Sequence, residues 1–377
     1  MNEHQVWAEI DLSAYGHNIG ELKRITELGR RFMAVVKADG YGHGAVEVSR
    51  TALESGADCL GVARLEEGLQ LREAGIEAPI LIFGYTSPER ARILIDSDLT
   101  QTVFSHAAAE ALSYQAATSG DKLRAHIKVD TGMGRLGVLA TEAPLERRLH
   151  EVQSIAGLPG LEIEGLFTHF ATADRSDESY ALLQLHRFRE LIGALDDLGL
   201  DIPVKHAANS AALMSLPDSH FDMVRPGIAT YGLQPSSERL RDDLDLRPAL
   251  AWKTRIIHLK QVPAGFGVSY GITYKTAKPT TLATVPAGYA DGLNRLLSSR
   301  GEMLVGGRRV PIVGRVCMDL TLLDVGEVPD VTTGDEVVII GQQGDEALSA
   351  EEMATTLDTI NYEIVTSIAA RVPRIYK

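Results

Sequence analysis

From Arg31 to about Gly232 the chain alternates short apolar runs with amphipathic stretches. The runs read as strands at Arg31–Ala38, Cys59–Arg64, Pro79–Gly84, Leu99–Ser105, Ala125–Thr131, Leu161–Phe170, Val204–Asn209 and Met223–Gly232. Near-continuous Val, Ile and Leu suits strands buried on both faces. Between them, segments such as Arg64–Gly75, Ser105–Thr118 and Asp177–Leu198 carry apolar residues at helical spacing. Ser87-Pro88 reads as an N-cap followed by proline at the first helical position. Eight rounds of strand then helix predict a (β/α)8 TIM-type barrel, with a doubly wound sheet as the alternative.

After Gly232 the rhythm changes. Gln234–Arg247 is polar and reads as a linker. It is followed by β-rich runs at Ala251–Val262, Thr281–Val285, Arg309–Val313, Thr321–Val325 and Glu336–Gly341. Few helices separate them, so a second, mainly β C-terminal domain is expected. Ser349-Ala350-Glu351-Glu352 matches a capping box that opens a late helix. The expected division is residues 1–240 for the barrel and 241–377 for the β domain, with the first ten or so residues packing on the second domain.

Bulk properties narrow the partners. A hydrophobic content of 45% and a charged content of 23% are those of a globular protein. A net charge of -14 argues against nucleic acid or an anionic membrane surface as partner. Cys59 and Cys317 are too few for a disulfide framework and lack zinc spacing, so no metal site is expected. The N-terminus is not a signal peptide, and no apolar run approaches membrane-spanning length, which makes a cytoplasmic protein the expectation.

The chemistry gathers at strand ends. Lys37 closes the apolar run Phe32–Val36 and is followed by three glycines within five residues, Gly40, Gly42 and Gly44. Desolvation there lowers a lysine pKa from ~10.4 and frees the neutral amine that a Schiff-base lysine needs. On a barrel, Lys37, Arg64, Lys128, His169, His206, Asn209 and Arg225 fall at strand ends that share one face. Such a set describes a site for an anion. Arg225-Pro226-Gly227-Ile228 follows the last strand, where barrels hold phosphate, and Ser210 adds a hydroxyl. A phosphate beside Lys37 suggests pyridoxal phosphate, although a sugar-phosphate enzyme would show much of the same.

A longer pattern goes further. Ala34–Gly44 resembles the cofactor-lysine signature of the alanine racemases, and the likeness spans nearly the whole chain. It continues through Lys128–Arg135, Thr168-His169-Phe170, His206–Ser210, Arg225-Pro226-Gly227, Ser269-Tyr270-Gly271, Gly288–Gly292, Cys317-Met318-Asp319 and Asn361-Tyr362-Glu363. Leu320 departs from it, standing where a polar residue is expected.

The resemblance implies pyridoxal 5'-phosphate-dependent, two-base racemisation of L- and D-alanine, supplying D-alanine for peptidoglycan. It also implies a homodimer with shared active sites. Lys37 would carry the cofactor and act as one base; Tyr270, from the other subunit, would be the second. Arg225 would face the pyridine nitrogen with His206 positioning it. His169 would sit against the ring, and Asn209 would join the cofactor set. Tyr41, Ser210, Gly227, Ile228 and Tyr362 would hold the phosphate. Arg135 and Met318 would serve the substrate side, and Lys128 matches a position carbamylated in many relatives. A broader-specificity (serine) racemase and a barrel-type amino-acid decarboxylase are the alternatives. The decarboxylases place an acidic partner at the pyridine nitrogen, where this chain has Arg225. A non-catalytic cofactor-carrying barrel would leave Tyr270 and the second domain unexplained.

Overall fold

Eight parallel strands follow from the buried runs: β1 Arg31–Val35, β2 Cys59–Val62, β3 Ile80–Ile82, β4 Leu99–Val103, β5 Leu123–Asp130, β6 Leu161–Phe167, β7 Val204–His206 and β8 Met223–Val224. Each pairs with its neighbour, and β8 pairs with β1 through Met223–Arg31 and Val224–Phe32, so the sheet closes. This is a (β/α)8 barrel. The computed structural model describes residues 3–141, 144–236 and 241–377.

Apolar side chains from five strands, Met33, Cys59, Leu81, Val204 and Met223, form one buried cluster with Phe83 against it. Deleting a methyl-bearing side chain there leaves a cavity that closed strands relax into poorly. Helices Leu65–Glu73, His106–Thr118 and Ser179–Asp197 occupy the predicted amphipathic segments. Ser87 does not cap: its hydroxyl donates to Glu89, and Pro88–Arg90 forms a 3-10 turn ahead of helix Ala91–Asp96. The bond to a carboxylate two residues away orients the hydroxyl toward that side chain rather than toward the backbone N–H groups.

The barrel unit comprises Tyr15–Gly40 with Ala45–Arg247, and the chain through Ala14, Tyr41–Gly44 and Pro248–Lys377 forms the other unit. In the latter, seven strands make one sheet. Val6–Ile10 lies between Leu250–Arg255, antiparallel, and Arg374–Tyr376, parallel. The run Ala251–Val262 is two strands. Leu250–Arg255 joins the large sheet, and His258–Val262 pairs instead with Thr280–Val285 in a three-stranded one. The break falls at Ile256, whose N–H goes to the Asp335 carbonyl (3.0 Å) while its side chain is buried. Ser349 caps helix Ala350–Leu357 through the Glu352 N–H. Its expected box partner Glu352 turns outward to Arg309. Among the described residues no helix is long and apolar enough to cross a membrane.

Candidate active site

The backbone after β1 explains how Lys37 is presented. Ala38, Asp39, Gly40, Tyr41 and Gly42 all have positive φ, at 53°, 54°, 60°, 52° and 82°. This is a left-handed turn. Gly40 and Gly42 take it freely, whereas Ala38, Asp39 and Tyr41 are disfavoured by about 1–2 kcal/mol each. Two carboxylates hold it. Glu67 Oε1 accepts the Ala38 N–H (2.7 Å), and Asp39 Oδ1 accepts the Ala45 N–H (2.8 Å). Hydrogen bonds to charged groups contribute roughly 1.5–3 kcal/mol apiece, so the pair offsets strain of that size. Burial, together with Arg135 and Arg225, holds the Lys37 amine below the ordinary lysine range, while Glu67 draws it upward.

The C-terminal ends of the barrel strands carry an unusual run of cations and imidazoles. Arg225 is 4% exposed, and its guanidinium is spread over β6 and β7. Nη1 donates to His206 Nδ1 (2.9 Å), and Nη2 donates to the carbonyls of Thr168 (2.9 Å) and Ala207 (3.1 Å). A guanidinium only donates, so His206 Nδ1 accepts and its proton lies on Nε2. That proton goes to His126 Nδ1, 2.9 Å away. Both rings are therefore neutral, which agrees with burial lowering His206 well below the imidazole range and His126 to about 3. Gly165 makes room for this pair, since a Cβ there would stand 2.5 Å from the His126 ring. Phe167 stacks on His206 at 4.7 Å and lies under both Arg225 and Lys128. Burial alone lowers Arg225, to about 9, and it stays cationic at neutral pH.

Lys128 is buried on β5, pushed down to about 8 by burial and then by Arg135 and Arg225. Two residues on, Asp130 organises the following loop. Its Oδ1 accepts the N–H groups of Gly132 (2.9 Å) and Gly134 (3.1 Å), and Oδ2 accepts that of Arg135 (3.1 Å). Arg135 itself is exposed. His169 is partly buried and lowered well below its usual value by burial and by Arg225. Arg64 is exposed and gives only its backbone N–H to Glu67 (3.1 Å).

Beyond β7 and β8 lies the expected phosphate cradle. Ser210 Oγ accepts the N–H groups of Gly227 (2.9 Å) and Ala229 (3.3 Å), which leaves its own hydrogen to donate. Ile228 opens a 3-10 turn, Ile228–Tyr231, whose first N–H groups have no intrahelical acceptor. Asn209 caps helix Ser210–Ser215, its Oδ1 accepting from Ala212 (2.9 Å).

The other expected residues belong to the second unit. Tyr41 and Tyr362 pack with ring centroids 6.1 Å apart. Tyr270 opens a short turn, Tyr270–Ile272, and is 71% exposed. Ser269 beside it donates to the Arg315 carbonyl (2.7 Å) and lies 3.5 Å from Cys317 Sγ. Met318 follows, 54% exposed, its carbonyl taking the Ala290 N–H (3.0 Å). Its own N–H has no protein partner among the described residues. Asp319 and Asp291 both accept from Arg371. His126, Phe167 and Glu67 are members of the barrel cluster that sequence reasoning did not name. His126 stands two residues before Lys128 on the same strand face, the one pattern that marks it.

A closed barrel with a desolvated lysine after its first strand and a buried cationic end defines an enzyme of the kind that works on small anionic molecules. Residues 10–235 match the model of the alanine racemase N-terminal domain, and residues 249–376 that of the alanine racemase C-terminal domain. The chain belongs to the alanine racemase family. It is 56% identical to an alanine racemase of Desulfosudis oleivorans, covering 100% of this chain and 97% of that one. It is 47% identical to one from Methanococcus maripaludis over the full length of both. Among solved structures, the Bacillus anthracis alanine racemase with bound L-Ala-P superposes with a TM-score of 0.93 at 42% identity, covering 100% and 96% of the two chains. The enzyme from D-cycloserine-producing Streptomyces lavendulae gives 0.93 at 40% identity, covering 100% and 98%.

Proposed function

We propose that this chain interconverts L- and D-alanine with pyridoxal phosphate, using Lys37 and Tyr270 as its two proton carriers. The observation that carries the reading is the excess of positive charge at the barrel end, only partly offset by Glu67 and Asp130. Arg225 is buried with hydrogen bonds but no carboxylate, beside Lys128 and a desolvated Lys37. Burying cations without anions is unfavourable unless an anion completes the site. The donor set fits the cofactor. Ser210, Gly227 and Ile228 suit its phosphate, Arg225 its ring nitrogen through a guanidinium Nε–H without a partner among the described residues, and Lys37 its carbonyl carbon. His206 and His169 hold Arg225, and Asn209 fixes the turn that carries Ser210. When bound, the cofactor supplies the electron sink that makes the substrate's α-hydrogen acidic.

The protein's part is proton traffic. Lys37 Nζ takes or returns the α-proton on one face, and the Tyr270 hydroxyl does so on the other, so the substrate need not turn over. Arg135 and the Met318 N–H suit the substrate carboxylate. A tyrosine as exposed as Tyr270 would work in bulk water, and Ile272, Tyr289, Met318 and Leu320 are exposed with it on the same unit. A second copy of the chain covering this face would dry it and place Tyr270 in a partner's site. Following optical rotation of several L-amino acids, with and without added pyridoxal phosphate, tests the reading. L-alanine is expected to fall to the racemic value with the cofactor present. Retention of rotation for alanine, or faster loss for serine, overturns the substrate assignment.

Lys128 is proposed as a carbamate. A buried amine lowered to about 8 is neutral often enough to attack carbon dioxide, releasing one proton, and Arg135 and Arg225 then face an anion. Isotope-labelled bicarbonate is expected to give one carbamate carbon resonance, absent in Lys128→Met. The signal should fade as pH falls below about 8, where the amine holds its proton. A resonance that survives Lys128→Met contradicts the assignment.

A further inference from the structure

The geometry points to Glu67 as a positioning residue for Lys37: one carboxylate ties the backbone just past the lysine to the end of β2, and so maintains the left-handed turn that sets where the amine lies. Glu67 sits in the first turn of helix Leu65–Glu73. Its Oε2 accepts the N–H groups of Ala63 (2.6 Å) and Arg64 (3.1 Å), the ordinary work of a capping glutamate. Its Oε1 does something a cap does not need, reaching β1's end to accept the Ala38 N–H at 2.7 Å. Ala38 is the first residue of the turn at positive φ and adjoins Lys37. The neighbouring bonds cooperate: Val36 donates to the Gly61 carbonyl (2.9 Å), and Gly40 donates to the Val36 carbonyl (2.9 Å). Without the carboxylate, Ala38 would lose the anchor that holds an alanine at φ 53°.

The same group sets the charge balance. Arg135 and Arg225 act against a proton on Lys37 and Glu67 acts for it, while Asp130 does the same for neighbouring Lys128. The inference rests on Lys37 being the cofactor lysine, and its test is separable from that assignment.

Full-length E67Q and E67A are compared with S105A, which removes the hydroxyl capping helix His106–Thr118 elsewhere on the barrel. Two readouts avoid turnover: amide hydrogen exchange at Ala38, and arylation of Lys37 in cofactor-free protein across pH, with exposed Lys122 as internal reference. Loss of a charge-assisted bond is expected to raise Ala38 exchange about 10-fold or more. Removing the carboxylate should also move the Lys37 labelling midpoint to lower pH, because the ammonium form loses its anion. Ala38 exchange should order as wild type, E67Q, then E67A, since glutamine keeps one acceptor oxygen, whereas the Lys37 midpoint should move in both variants, which lose the same charge. S105A should leave both readouts unchanged. If E67A does not fold, E67Q, which keeps the side chain's size, carries the test. Faster exchange confined to the Ala63 and Arg64 amides, with an unmoved Lys37 midpoint, makes Glu67 a helix cap only and overturns the inference. So does an equal Lys37 change in S105A. Failure of the Lys37 assignment itself would show differently, as cofactor bound to another lysine in the wild-type chain.

Discussion

Lys37→Ala is expected to lose racemase activity by roughly 10² to 10⁴ from the missing proton carrier alone, and further through loss of the covalent hold on the cofactor. The reason is local. The amine stands at the end of β1, its pKa lowered by burial and by Arg135 and Arg225, so its neutral form is more abundant than on an ordinary lysine. Lys128 also stands at the barrel end and is buried, yet it projects from β5 over Phe167. Borohydride treatment of the wild-type chain with pyridoxal phosphate is expected to leave the cofactor fixed on the peptide containing Lys37. Recovery of the label on Lys128 or another lysine, or retention of activity in Lys37→Ala, contradicts the assignment.

Mixing two inactive variants is expected to restore activity. Lys37 belongs to the barrel unit and Tyr270 to the other, and the exposed face around Tyr270 is proposed to serve a second copy. Lys37→Ala and Tyr270→Ala chains, each crippled alone, form mixed dimers once subunits exchange. One site of each mixed dimer then takes Lys37 from the Tyr270→Ala chain and Tyr270 from the other; its second site has neither. Half of randomly paired dimers are mixed and half of their sites are complete, so recovery is at most about a quarter of wild type. Subunit exchange shown by differently tagged chains, with no activity regained, would mean that Tyr270 is not the second base or that it acts within its own chain.

The barrel was legible because most of its strands are short, largely buried runs set off by amphipathic helices, and because Lys37 breaks such a run just before its glycines. The second unit was less so. Its strands Glu302–Val305, Gly267–Val268 and Glu346–Leu348 are short, carry exposed polar positions such as Glu302 and Glu346, and have few helices between them to mark a rhythm. Val6–Ile10 alternates weakly and lies more than 230 residues from its partner Leu250–Arg255. In the site, His126 looks like any core histidine until its ring meets His206. Glu66 and Glu67 are indistinguishable in sequence, both in an amphipathic helix. Only the fold turns Glu66 outward to Arg90 and Glu67 back under Ala38.

The place of Val6–Ile10 in its sheet bears on how the protein is made. It is hydrogen-bonded on one edge to a strand from the middle of the chain and on the other to Arg374–Tyr376, with Ala8 opposite Arg374. On the ribosome this segment emerges before the barrel, and its second edge stays bare until Arg374–Tyr376 follows more than 360 residues later. Its buried Trp7 and Ile10 must wait without their final neighbours until both pairing strands have been made. The barrel strands, by contrast, pair mainly with the strands before and after them, and can close as soon as Met223–Val224 reaches β1. Synthesis therefore orders the two events, barrel before the completed β sheet, and leaves Val6–Ile10 as a segment that waits exposed and gains most from a chaperone.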